Sequence, residues 1–268
     1  MIKILVSLKK KTHSIVGCSI VKTISSTIGK TANMKLQVKL KNRYAAGMIL
    51  SDLLKDDLRS LVPNSKYSHW QHQILILGVP RGGVITASAV ARKFSTSLQI
   101  IASTRLTASH DEEITIGAVV ENGDLYLNEG IVSALNISPE YITSEKTKAM
   151  ELIEFRRSKY QLVRPKALGP NIRNKSIVLI DDGAASGATL IAALRNLRTF
   201  SPRHLVVGVP ILPEQTLSLL RKEADLVKCI WSVDDKRFRS VEQYYEDFAP
   251  VSDGEVMAAK AKTTQNIV

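Results

Sequence analysis

An α/β fold built on a parallel sheet is what this sequence predicts, and three observations predict it. Two short runs, ILILGV at 74–79 and IVLI at 177–180, are apolar at nearly every position, as in strands covered on both faces. Each run passes through a small-residue turn into a stretch with helical periodicity. Strand-like and helix-like segments then alternate as far as Trp231, the order that right-handed crossovers between parallel strands require.

The elements follow in chain order. Residues 1–41 hold nine lysines and no acidic residue, leaving 28 basic against 25 acidic residues in the remainder of a chain whose net charge is +12. The body is therefore nearly neutral, and residues 1–40 are expected to be a flexible basic extension. Lysine, serine and threonine break up its apolar residues, which fits neither a secretory signal nor an arginine-rich transit peptide. Met34 offers a second start. No apolar run is long enough to span a bilayer. Cys18 and Cys229 stand far apart without metal-ligand spacing, which fits a reducing, cytoplasmic setting.

From Arg43 to Leu61, Ala45, Met48, Ile49, Leu53, Leu54 and Leu58 recur at helical spacing, and Pro63, Asn64 and Ser65 should end that helix. His69 and His72 lack a third ligand and read as part of a surface turn. Gln73 to Val79 is a buried strand, and Val84 to Phe94 the helix after it. Leu98 to Ser103 is a third apolar run. The polar segment that follows, LTASHDEEI at 106–114, has no period and reads as a loop beside the sheet, a candidate lid. Gly123-Asp124 has the look of a hairpin turn between Val120 and Leu125. Ser138 and Pro139 make an N-cap and first-turn pair for a helix running to about Leu162. Its cations Arg156, Arg157 and Lys159 read as a solvated face. Pro165, Gly169 and Pro170 mark a linker. Leu205 to Val209 and Asp225 to Trp231 are further strands, with a helix from Pro213 to Lys222 between them. Tyr244 to Phe248 should dock on the core, and residues 257–268 are expected to be a frayed tail.

The two turns carry the chemistry. A strand that runs through a turn into a helix N-terminus aims several backbone N–H groups into one concavity, where the helix dipole also favours an anion. After the strand ending at Ile180, Gly183, Ala184, Ala185, Ser186, Gly187, Ala188 and Thr189 form such a seat. No lysine follows Gly187, as it would in a P-loop, so a nucleoside triphosphate is disfavoured. Asp181 and Asp182 can instead accept from two ribose hydroxyls while the turn holds a phosphate on C5. The earlier turn, Pro80-Arg81-Gly82-Gly83, offers a second set of amides with the fixed charge of Arg81. Two seats suit a substrate with phosphate at one end and pyrophosphate at the other.

DDGAASGAT resembles the phosphoribosyl pyrophosphate loop of type I phosphoribosyltransferases, with Ser186 where threonine is usual, and PRGG is similar to their pyrophosphate loop. With RxxAG at Arg43–Gly47, IGAV at 116–119 and YEDF at 245–248, the likeness covers residues 41–256. It is to uncharacterised bacterial and archaeal members, some of them fused to hydrolase domains. The resemblance implies a parallel sheet of about five strands with flanking helices and a small hood. It implies transfer of a 5-phosphoribosyl group from its 1-diphosphate (PRPP) to a nitrogen nucleophile, a step of nucleotide metabolism. Magnesium, carried by the substrate and touching Asp181 and Asp182, would neutralise the pyrophosphate. The 5-phosphate and ribose would lie on 181–189 and the pyrophosphate on Arg81, Gly82 and Gly83. Arg105 would close over the pyrophosphate, act with Asp182 in catalysis and be supported by Glu113. His110 reads as a solvated loop residue. Enzymes of the family acting on 6-oxopurines place an aspartate where this chain has Ala185, so hypoxanthine and guanine are disfavoured. The alternative is a non-catalytic PRPP-binding regulator of transcription or RNA, with nucleic acid as the less favoured partner. A homodimer is compatible with either.

Overall fold

The computed structural model describes residues 39–62, 70–162, 169–170 and 172–264. The basic extension up to residue 38, Pro63 to His69, and Arg164 with Lys166 lie outside them. Eight strands and seven α-helices are defined among the described residues: α1 (Arg43–Ser60), β1 (Ile74–Gly78), α2 (Gly82–Phe94), β2 (Leu98–Ile100), β3 (Ser103–Ala108), β4 (Asp111–Val120), β5 (Leu125–Leu127), α3 (Glu129–Ala134), α4 (Pro139–Lys159), β6 (Ser176–Ile180), α5 (Ala188–Arg198), β7 (His204–Pro213), α6 (Glu214–Glu223), β8 (Leu226–Val233) and α7 (Asp253–Thr264).

Five strands form one parallel sheet in the order β2-β1-β6-β7-β8. Successive residues of a strand face opposite sides, and the core divides accordingly. Ile74, Ile76, Val178, Ile180 and Val206 join α1 and α2 on one side. Leu75, Leu77, Ile177, Leu179, Leu205 and Val207 join α5 and α6 on the other. Strands β1 and β6 are buried at every position and β7 at all but its first, because helices cover both faces there, which is why their sequences do not alternate, whereas the edge strand β8 is only partly buried along its length. Helix α1 buries Ala46, Leu50, Leu54 and Leu58, a single stripe at four-residue spacing, and starts where the Asn42 side chain accepts from the Ala45 amide at 2.9 Å.

The segment 103–127 forms a second, antiparallel sheet, β3-β4-β5. Here the structure corrects the sequence expectation. LTASHDEEI is the tip of the β3–β4 hairpin and not a loop. Register shifts between Leu106 and Thr107 and again between Thr107 and Ala108 break the alternation that would have marked the strands. The β4–β5 turn does fall at Gly123, whose φ is +87°. Helix α4 opens on Ser138 and Pro139, Ser138 accepting from the Tyr141 amide at 3.2 Å, and packs on β3, where Tyr141 donates to the Thr107 carbonyl at 3.0 Å.

The end of the chain also differs from expectation. Residues 253–264 are helical and docked: Val256 is fully buried against the α2 side of the core. Asp253 accepts from the Tyr160 hydroxyl at 2.5 Å, and Lys260 caps the carbonyls of Tyr160 and Gln161 at 2.9 and 3.0 Å. A stretch rich in alanine and lysine shows little apolar face in sequence, but the three contacts just named hold it to the body. Ahead of α7, residues 244–247 run parallel to Leu40 and Lys41. The Leu40 amide donates to the Tyr244 carbonyl and the Glu246 amide to the Leu40 carbonyl, both at 2.8 Å.

Candidate functional site

The carboxyl ends of β1 and β6 lie side by side, Gly78 paired with Ile180, so the turns that leave them are neighbours. The Pro80-Arg81 peptide bond is cis. PRGG touches the aspartates directly: a Cβ at Gly83 would come within 2.6 Å of Asp181 Oδ1, and one at Gly82 would overlap the Asp182 carboxylate. Only glycine allows this approach. The Val79 amide donates to the Ile180 carbonyl at 3.0 Å, joining the two turns through their backbones.

The second turn is held from below and from one side. The Ala184 amide donates to the Ile211 carbonyl at 3.0 Å, and the Thr216 hydroxyl donates to the Ala185 carbonyl at 2.5 Å. Gly187 caps α5 with φ +71°, a left-handed conformation that turns the chain sharply into the helix. Among the described residues, the amides of Ala185, Ser186 and Gly187 donate to no protein group, and Ser186 Oγ accepts only from the Ala188 amide at 3.4 Å. Three consecutive open donors at the start of an eleven-residue helix are suited to a phosphate.

Asp182 is fixed by partners that sequence reasoning missed. Arg43 Nε, at the start of α1, lies 2.6 Å from Asp182 Oδ2, with side-chain exposures of 12% and 16%. The same guanidinium stacks 3.7 Å above the Phe248 ring and donates to the Ala249 carbonyl at 2.7 Å. Tyr245 donates its hydroxyl to the Asp182 carbonyl at 2.6 Å, and burial raises the phenol well above its ordinary range. RxxAG and YEDF thus converge on the second aspartate. Asp181 is half-buried, and its Oδ1 accepts from the Asp182 amide at 2.8 Å. Burial first, and the neighbouring Asp182 charge second, push its carboxyl well above the usual carboxylate range.

Other expected site residues are more scattered. Arg81 is exposed at the rim. Arg105 is exposed on β3, opposite Ala118, and bonds to none of the other site residues. Glu113 is exposed on β4, its amide donating to Asp111 at 2.8 Å, and His110 is exposed at the hairpin tip. Directly after β4 stands a group with no sequence signal. Glu121 has an oxygen buried without a hydrogen-bond partner; burial, opposed by Arg157, raises its carboxyl to about 7. Among the described residues there is no cluster of three or more His, Cys, Asp or Glu able to hold a metal, and no helix long and apolar enough to cross a membrane. A metal would therefore meet at most the two aspartates of this site and would take its other ligands from a bound molecule.

Comparison with known proteins places this geometry among relatives. The family described as "Phosphoribosyl transferase domain" matches residues 49–247. Two Mycobacterium tuberculosis proteins, "Putative phosphoribosyl transferase Rv0571c" and "Putative phosphoribosyl transferase MT0597", are each 31% identical over 185 residues. That alignment takes in 69% of this chain, which spans only 41% of the length of either relative. The crystal structure of TT1426 from Thermus thermophilus superposes with a TM-score of 0.62 at 30% identity, over 84% of this chain and 98% of that one.

Proposed function

The chain belongs to the phosphoribosyl transferase domain family, and from that premise we propose that it transfers a 5-phosphoribosyl group from PRPP to a nitrogen nucleophile, releasing pyrophosphate. The observation that carries this reading is the packing of Gly82 and Gly83 against the Asp182 and Asp181 carboxylates, which makes the two anion seats one site. The open amides of Ala185, Ser186 and Gly187 receive the 5-phosphate. Asp181 accepts from a ribose hydroxyl. Asp182, held by Arg43 at 2.6 Å, fixes the floor beneath the sugar. Arg81 and the glycine amides take the pyrophosphate.

In the reaction, the bond from C1 to the pyrophosphate oxygen breaks and its electron pair leaves with that oxygen. The acceptor nitrogen supplies the pair for the new C1–N bond and gives up a proton. Positive charge develops on the sugar in between, as in glycoside hydrolysis. The Asp182 carboxylate beneath the ribose favours that charge, and Arg81 favours the departing anion. The donor set suits magnesium only as a passenger of PRPP, since two carboxylates are present and Arg43 already pairs with one. When bound, the metal would neutralise pyrophosphate oxygens. Arg105, exposed on the hairpin, is the side chain this reading assigns to close over the pyrophosphate. Ala185 offers no carboxylate to a purine ring nitrogen, so the acceptor is an adenine-like, pyrimidine-like or other amine.

Titration calorimetry of PRPP with magnesium tests the seat, and a pyrophosphate-release screen over bases and amines tests the transfer. The double variant Asp181→Asn, Asp182→Asn is expected to lose donor binding while remaining folded by circular dichroism. Normal donor binding by that variant would refute the ribose assignment. Wild-type binding without turnover on any acceptor would replace transfer by the regulatory alternative.

A further inference from the structure

We propose that Arg156, on α4, is a second cation of the pyrophosphate seat and acts beside Arg81; this rests on the PRPP reading above. The backbone brings the two to one rim. Strands β1 and β2 end together, Gly78 opposite Ile100, with the Ile101 amide donating to the Gly78 carbonyl at 3.2 Å. Arg81 lies three residues beyond Gly78 and Thr104 four beyond Ile100, so both stand just past the same edge of the sheet. Arg156 Nη1 donates to Thr104 Oγ1 at 3.3 Å, which holds its guanidinium at that edge.

The other cations of this helix end are accounted for. Arg157 pairs with Glu154. Lys159 pairs with Asp253 at 2.9 Å, and Asp253 also takes the Tyr160 hydroxyl. Arg156 is half-buried, yet among the described residues neither it nor Arg81 makes an ion pair. A partly desolvated guanidinium with one weak neutral partner is costly to keep. A second unpaired guanidinium nearby adds to that cost. Burial foremost, and the charge of Arg81 as well, lower the affinity of Arg156 for its proton, while Tyr160 and Asp253 oppose them. An incoming polyanion removes both penalties. Pyrophosphate has the charge, and its two phosphoryl groups offer separate faces to two planar donors.

The test is calorimetry with magnesium pyrophosphate and with ribose 5-phosphate on the full chain. Arg156→Met should weaken pyrophosphate at least tenfold and leave ribose 5-phosphate unchanged, Arg156→Lys should weaken it less, and Arg157→Met should change neither. Pyrophosphate affinity equal to wild type in both Arg156 variants overturns this proposal and leaves the PRPP reading standing. If Arg156→Met fails to fold, Arg156→Lys decides: unchanged pyrophosphate affinity overturns the proposal. Failure of the wild-type protein to bind either probe overturns the PRPP reading and this proposal with it.

Discussion

Glu121 is the residue whose chemistry is most at odds with its surroundings. Its carboxyl is raised from 4.5 to about 7, chiefly by burial, so the folded protein holds a proton there that the unfolded chain has lost. For such a group stability is highest below the unfolded value and falls as pH rises between 4.5 and about 7. The fall is at most about 3 kcal/mol. Glu121→Gln, neutral at every pH, should flatten this part of the stability profile and be the more stable protein at pH 8. Urea denaturation at pH 5 and pH 8 reads this directly, and parallel profiles for the two proteins would refute it. Nothing around Glu121 in the sequence hints at this, because the groups around it come from elsewhere in the chain, Arg157 of α4 among them. Asp181 and Asp182 were legible because two acids, a small-residue turn and an apolar strand stand together in one line of sequence. Arg43 was legible only as part of a family motif. Its partner is 139 residues away, and no local pattern encodes such a pair.

At the scale of elements, the strand–turn–helix unit β6–α5 is the part on which the site depends, and Gly187 is its pivot. Alanine there would have to adopt φ +71°, at about 1 kcal/mol, and its Cβ would press within 2.9 Å of Thr216 Cγ2. Thr216 holds the Ala185 carbonyl, so the strain passes to the open amides. Gly187→Ala is expected to cost about 1–2 kcal/mol of stability and to weaken PRPP about tenfold in calorimetry. Wild-type affinity would mean the turn does not carry the phosphate. The elements the sequence made plain are β1 and β6, with unbroken apolar runs, α1, with a regular stripe and a capping residue, and α4, marked by its Ser138-Pro139 start. The hairpin β3–β4 was hidden by its bulges, and α7 by alanines and lysines that show little apolar pattern until the docking surface exists. Strand β7 continues to Pro213, past the Val209 read from sequence, because Ile211 and Leu212 are buried as its continuation.

For the molecule as a whole, the class and the parallel sheet followed from strand–helix alternation, but the order β2-β1-β6-β7-β8 did not. Alternation states which elements exist, and only side-chain packing between distant segments states which strands are neighbours. The bridge between Leu40 and Tyr245 is a contact of that kind, and it governs how far the protein can be shortened. Trimming as far as Lys39 removes only residues ahead of that bridge and should leave the melting temperature unchanged. Starting instead at Tyr44 deletes Leu40, buried with Tyr244 and Tyr245, and takes the counter-ion from Asp182. That loss is expected to cost about 3 kcal/mol, lowering Tm by roughly 6–12 °C. Equal melting curves for the two truncated forms would show the bridge to be idle. If they differ as expected, the smallest useful expression fragment is set by charge balance at Asp182, and the four residues 40–43 decide whether that balance is kept.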